Sequence, residues 1–231
     1  VFCILYSFAS AQWQPDQRLT NDPAESYLPN PNQHAIAAAG DTIHVVFVDN
    51  RSGEFLVYYT RSLDAGANWD SAIPLSPDSD RVFYPSLAVH GATVHVAWPA
   101  GASDAMMYRR STNAGATWPA AETLITSTGG LGDPCLAADG DNVGITWGDG
   151  RDGNWNGELY YKQSSDGGSN WTDDTRLTVD TDSVADGGAC LAVSGNHRYI
   201  VWTRGTGTPV SRRRGSRARP TAGRTGSHER V

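Results

Sequence analysis

SLDAGANW (Ser62 to Trp69), STNAGATW (Ser111 to Trp118) and SSDGGSNW (Ser164 to Trp171) are three copies of one octapeptide, Ser-x-Asp-x-Gly-x-x-Trp, with starts 49 and 53 residues apart. A period near fifty residues marks a stack of supersecondary units, none able to bury its apolar face alone. In each copy the side chains at the first and third positions suit bonding to backbone groups of their own turn. These are Ser62 and Asp64, Ser111 and Asn113, and Ser164 and Asp166. Gly66, Gly115 and Gly168 supply a backbone geometry that a Cβ would hinder. Trp69, Trp118 and Trp171 each bring about 150–250 Å² of apolar surface to bury beneath the turn. Asn113 stands where the other copies carry a carboxylate. An amide keeps the hydrogen bonds but cannot act as a carboxylate catalyst, so the octapeptide reads as a folding staple.

Around the octapeptides the same segments recur. A short apolar stretch (AIAAAG, SLAVHG, CLAADG, CLAVSG) leads through a Gly turn into an alternating run. That run is TIHVVFV from Thr42, TVHVAWP from Thr93, NVGITWG from Asn142 and HRYIVWT from His197. A polar loop and a Tyr-rich segment follow (FLVYYTRS, AMMYRRS, ELYYKQS), and the octapeptide turns into a fourth. The alternation predicts half-buried strands. Four antiparallel strands per unit fit a propeller blade better than a sandwich. The fold class is therefore all-β, a β-propeller of four-stranded antiparallel blades that is incomplete here. About three full blades (33–75, 84–125 and 134–178) and part of a fourth (189–203) are expected. WQPDQRLTND, from Trp13, matches WTDDTRLTVD, from Trp171, in register. The N-terminal stretch thus reads as a lone fourth strand that completes a blade with the C-terminal end, and ring closure removes the edges.

Composition agrees with many short strands and tight turns: 25 Gly and eight Trp in 231 residues, with Lys162 as the sole lysine. No apolar run is long enough to span a membrane. Residues 1–11 read as a signal peptide, apolar and ending in Ala9-Ser10-Ala11, which places the chain in a secreted or cell-surface setting. The alternative is a buried first strand. Residues 12–203 form the propeller unit, and 204–231 a basic tail. The tail holds eight of the 18 basic residues and one of the 25 acidic ones, leaving 10 and 24 in the body, net −14. So acidic a body argues against nucleic acid as partner. The tail reads either as a disordered polybasic arm or as the out-of-frame end of a repeat.

Cys135 and Cys190 share one slot with Ala35 and Ser86. A slot filled by Ala, Ser and Cys predicts buried thiols rather than a disulfide or metal pair. The six histidines show no metal-ligand spacing, and no cofactor is expected. The acidic run Asp180 to Asp186 has oxygens that could hold Ca²⁺, but its spacing fits no recognised loop and it reads as a solvated turn.

The octapeptide resembles the Asp-box, or bacterial neuraminidase repeat, of sialidases and other β-propellers, and the resemblance covers roughly residues 13–203. It implies a sialidase-like propeller, typically six-bladed, with the boxes on the blade periphery and away from the central site. It does not imply activity by itself. Sialidases of this kind grip the substrate carboxylate with three arginines, attack with a Tyr activated by Glu, and use an Asp as acid/base. Their Arg-Ile-Pro motif is absent, since NPNQHAIAAA stands in its place. The candidate site residues are Arg51 as a triad arginine, with Asp49 or Glu54 as the acid. Asp-x-Arg-x-Gly recurs at Asp149 and Arg151, however, which favours a repeated loop salt bridge. The reading is a non-catalytic module that binds glycan or surface-protein ligands. The alternatives are a fragment of a sialidase-like glycoside hydrolase and a purely structural surface propeller.

Overall fold

The computed structural model describes residues 18–20, 23–28, 34–77, 82, 84–100, 104–152, 157–179, 186–204 and 229–230. The signal-peptide segment, Asp180 to Ala185 of the acidic run and most of the basic tail lie outside them. The chain is all-β, in four antiparallel sheets laid out in sequence order. The first comprises β1 (Ser26–Tyr27), β2 (Ile36–Ala39), β3 (Thr42–Asp49), β4 (Leu56–Ser62) and β5 (Ile73–Pro74). The second is β6 (Ser86–His90), β7 (Thr93–Ala100), β8 (Ala105–Ser111) and β9 (Glu122–Thr126). The third is β10 (Cys135–Asp139), β11 (Asn142–Asp149), β12 (Glu158–Ser164) and β13 (Thr175–Arg176). The fourth is β14 (Asp186–Ser194), β15 (His197–Arg204) and β16 (Glu229–Arg230), the last drawn from the basic tail and paired with Tyr199 and Ile200. Among the described residues no helix is long and apolar enough to cross a membrane.

The innermost strands β2, β6, β10 and β14 lie side by side in that order. The shared slot is what joins them. Leu136 N–H donates to Ser86 Oγ at 3.0 Å, and Leu191 N–H donates to Cys135 Sγ at 3.2 Å. Where Ala35 offers no such acceptor, Leu87 N–H turns to the His34 carbonyl at 2.7 Å. The slot therefore demands more than small size, because its side chain caps a backbone donor of the next sheet.

Half-burial holds in β15, where Arg198 and Ile200 are buried and Tyr199 and Val201 exposed, but not in the first three alternating runs. Val45 through Asp49 are all buried, as are most of β7 and β11. In β7 and β11 the reason is that sheets stack face to face, so each of these inner sheets has a neighbour on both sides. In β3 the face carrying Val45 and Phe47 packs with Leu56, Tyr58 and Trp69 of its own unit. Val46, Tyr59 and Leu75 pack with Leu87, Val96 and Trp98 of the next sheet. Met106, Tyr108 and Ile125 pack in turn with Leu136, Ile145 and Trp147. Leu159 and Tyr161 meet Leu191 and Ile200. Alternation thus assigns residues to two cores instead of to core and solvent.

The octapeptide turns lie at the end of β4, β8 and β12. Ser62 Oγ donates to Asp64 Oδ1 and accepts from Gly66 N–H, both at 2.8 Å. Asp64 accepts from Asn68 through N–H and Nδ2, as Asp166 does from Asn170. In the middle copy Asn113 donates through Nδ2 to Thr117 Oγ1, so the amide is matched by a hydroxyl partner. Each turn places two consecutive residues at positive φ: Ala65 and Gly66, Ala114 and Gly115, Gly167 and Gly168. Each Trp donates Nε1–H to the Gly carbonyl at 3.1–3.2 Å.

The staple reaches further than its own sheet. Trp118 meets the Tyr59 ring of the preceding sheet edge-on at 4.9 Å, and Trp171 meets Tyr108 at 5.4 Å. Arg61 donates to the Ala114 carbonyl and Arg110 to the Gly167 carbonyl, both at 2.6 Å. The second and third turns therefore lock neighbouring sheets together. Arg18 and Arg176 make the same Nε–H bond to a carbonyl two residues on, Thr20 and Thr178, as the match between RLT segments predicts.

Candidate functional site

Strand polarity puts the octapeptide turns at one end of the sheets and the β3–β4 and β11–β12 loops at the other. Opposite Asp49 and Asp149, on the line of the inner strands, sit Ser26 and Leu131. Asp49 is fully buried at this loop end. Arg51 reaches it through N–H at 2.8 Å, Nε at 2.9 Å and a terminal nitrogen at 2.7 Å, and Ser26 adds its hydroxyl. The guanidinium also lies 4.6 Å from the Tyr58 ring centroid. Burial opposes ionisation of Asp49, but these donors outweigh it and hold the carboxyl down at about 2. Glu54 is exposed on the same turn. The three candidates thus share one loop, with Asp49 and Arg51 engaged with each other.

The third sheet repeats the arrangement. Asp149 is fully buried and accepts from Arg151, from Ser127 Oγ at 2.6 Å and from Trp147 Nε1 at 2.9 Å. Burial again opposes ionisation, and the Arg151, Ser127 and Trp147 donors hold the carboxyl below its ordinary range. Arg151 further bonds Asp174 at 2.8 Å. Alongside, buried Glu158 takes Arg176 at 2.7 Å and the Thr178 hydroxyl at 2.6 Å. In the second sheet Ala100 stands where Asp149 does, and there the equivalent indole nitrogen, Trp98 Nε1, has no partner. Removing Arg151 as Arg151→Ala should cost about 2 kcal/mol, because a buried carboxylate loses its charged donor. Urea unfolding would measure it. A loss within error of zero would mean that Asp149 does not depend on the pair.

A cleft of about 390 Å³ opens beside this loop, between the third and fourth sheets. Its wall is glycine: 129, 130, 132, 148, 150, 157 and 188, with Asp133, Asp149, Leu159 and Ala189. A Cβ on Gly129 would lie 2.0 Å from the Gly150 carbonyl carbon, so the two backbones touch where no side chain fits. Gly132 N–H donates to the Gly148 carbonyl at 2.7 Å, extending the ladder into the cleft wall. The half-buried Asp133 contributes a carboxylate to a surface otherwise made largely of backbone.

Two residues beyond Asp133 lies a second cluster. One ring nitrogen of His34 and the sulfurs of Cys135 and Cys190 all lie within 4.8 Å of one another. Neither cysteine is in a disulfide. Burial pushes the Cys135 thiol up to about 12. His34 Nδ1 sits 2.8 Å from the Leu136 carbonyl, which can only accept, so Nδ1 carries the proton. In the sequence the cysteines stand as slot fillers, and His34 falls in the stretch that replaces the missing Arg-Ile-Pro motif. What the sequence lacks is the distance between them. The available signal was that His34 occupies the position held by Pro85 and Pro134 in the next two units.

No protein-family model and no curated protein matches the chain. Its fold is similar to that of solved structures. One is the GH93 alpha-L-arabinofuranosidase of Fusarium graminearum with arabinobiose, at 18% identity over 79% of this chain and 61% of that one, TM-score 0.54. The alpha-L-arabinanase of Penicillium chrysogenum with arabinobiose is 18% identical over 71% and 54%, TM-score 0.51. A Hadza microbial sialidase is 14% identical over 74% and 34%, TM-score 0.52. This chain spans about three-fifths of the length of the first of them. The likeness is one of fold: antiparallel sheets of three to five strands in a sialidase-like propeller.

Proposed function

We propose that this is a secreted or cell-surface propeller module, its octapeptides serving as Asp-boxes, that binds glycan through its loop end without catalysing hydrolysis. The glycine-walled cleft with Asp133 carries the reading. A flat, backbone-lined wall admits a pyranose or furanose ring closely, and a carboxylate accepts paired sugar hydroxyls. The cleft volume of about 390 Å³ suits one or two sugar units. Most glycoside hydrolysis uses two carboxylates free to act across the scissile bond. The buried acids Asp49, Asp149 and Glu158 are instead committed to arginines.

Calorimetric titration with arabino- and sialo-oligosaccharides tests this. Binding weakened about 10-fold or more by Asp133→Asn is expected, since a hydrogen bond to a charged group contributes about 1.5–3 kcal/mol. Binding to no glycan, or binding indifferent to Asp133→Asn, would sink the proposal. A second reading, a fragment of a sialidase-like glycoside hydrolase, draws support from the glycosidases that share the fold. Release of a fluorogenic aglycone from a sialoside, abolished by Arg51→Ala, would favour it.

A further inference from the structure

We propose that His34, Cys135 and Cys190 form a site for a soft divalent cation, zinc by preference, where the first, third and fourth sheets meet. The donors come from three different sheets: His34 just ahead of β2, Cys135 opening β10, and Cys190 in β14. Their ligand atoms already lie within 4.8 Å of one another. A tetrahedral zinc with bonds of about 2.3 Å to sulfur holds two sulfurs roughly 3.8 Å apart, a separation that falls within that bound. Two sulfurs and an imidazole select zinc over calcium or magnesium, which take oxygen donors.

The surroundings are those a metal-binding histidine requires. The Leu136 carbonyl fixes the proton on His34 Nδ1, leaving Nε2 unprotonated as the donor. Leu191 N–H donates to Cys135 Sγ at 3.2 Å, a bond that also supports a thiolate. On binding, each thiol releases its proton to solvent as its sulfur–metal bond forms, and the imidazole gives its lone pair without losing a proton. A cavity of about 330 Å³ adjoins the cluster on the His34 side. Such an ion ties the first sheet to the third and fourth, a link that chain connectivity does not provide. The inference is independent of glycan binding.

The repeat itself supplies the clean variant. Ser86 fills the Cys135 slot in the second sheet and caps Leu136 N–H at 3.0 Å, so Cys135→Ser keeps the backbone bond and removes only the soft donor. The experiment loads the reduced full chain with Co²⁺ and Zn²⁺ separately. Expected are a thiolate-to-cobalt charge-transfer band, saturation at a single ion per chain, and a Tm raised by zinc. Cys135→Ser and, separately, Cys190→Ser should abolish band and Tm rise. A cobalt spectrum unchanged by either variant would overturn the proposal. So would a Cys135–Cys190 disulfide, found by mass spectrometry in freshly isolated, unreduced protein.

Discussion

Lowering the pH from 7 to 4 is expected to destabilise the chain by several kcal/mol, with His44 and His95 as the main cause. Both are fully buried, and each places Nδ1 2.7 Å from a tyrosine hydroxyl, Tyr59 or Tyr108. In each ring Nε2 is buried with no hydrogen-bond partner. Protonation would put a charge in that setting with no acceptor for the second N–H. Burial first, and then the charge of Arg61 or Arg110, lowers each imidazole to about 4. The unfolded chain titrates near 6.5, so between about 6.5 and 4 it binds protons that the folded chain refuses. Stability is therefore full above the unfolded value and falls as the pH drops through that window, by up to about 1.4 kcal/mol per pH unit for each histidine. Asp49 adds nothing there. Its depressed carboxyl stabilises above about 3.9 and gives that up only as the pH falls toward about 2. Urea midpoints across pH 7 to 4 would show the effect, and the double variant His44→Gln/His95→Gln should flatten the curve. An equal slope in that variant would exclude the histidines.

Replacing Gly115 by alanine is expected to cost about 3–4 kcal/mol, whereas the same change at Gly66 should cost about 1 kcal/mol. Both glycines occupy one position of the octapeptide, at φ +77° and +90°. The strain of a Cβ in the left-handed region is therefore common to both, and Ala65 and Ala114 show that the neighbouring position absorbs it. What differs is the space. A Cβ at Gly115 would stand 1.8 Å from Tyr59 Oη and 2.5 Å from Cζ, inside a side chain of the preceding sheet. At Gly66 the nearest atom is Ile43 Cδ1 at 3.5 Å, an ordinary contact. The comparison isolates the part of the staple that joins sheets from the part that shapes the turn. Thermal unfolding of the two variants measures it. Equal losses would mean that the turn works only within its own sheet.

The strands were legible because each level of the sequence agreed with the others. The Thr42 and Thr93 runs, the Tyr-rich segments and the octapeptides fall where β3, β7, β4 and β8 and their turns are found. The Asn113 copy was legible as a turn too, since Thr117 supplies the hydroxyl that matches an amide. The site was not legible to the same degree. Asp149 and Arg151 advertise a loop ion pair through their repetition, but nothing local tells that Gly129 and Gly150 press their backbones together to wall a cleft.

Periodicity, turn chemistry and the repeated octapeptide belong to residues near one another in the chain, and by themselves they determined an all-β stack of antiparallel units. Which side of a strand meets which neighbour is a different kind of fact. Val96 and Ala97 follow one another in a single run and enter separate cores, because only the stacking of whole sheets creates two buried faces. The same stacking sets Tyr59 against Trp118 and gathers His34, Cys135 and Cys190, residues that no local pattern connects. Those meetings are decided by rigid sheets closing on one another, which is the business of the tertiary structure alone.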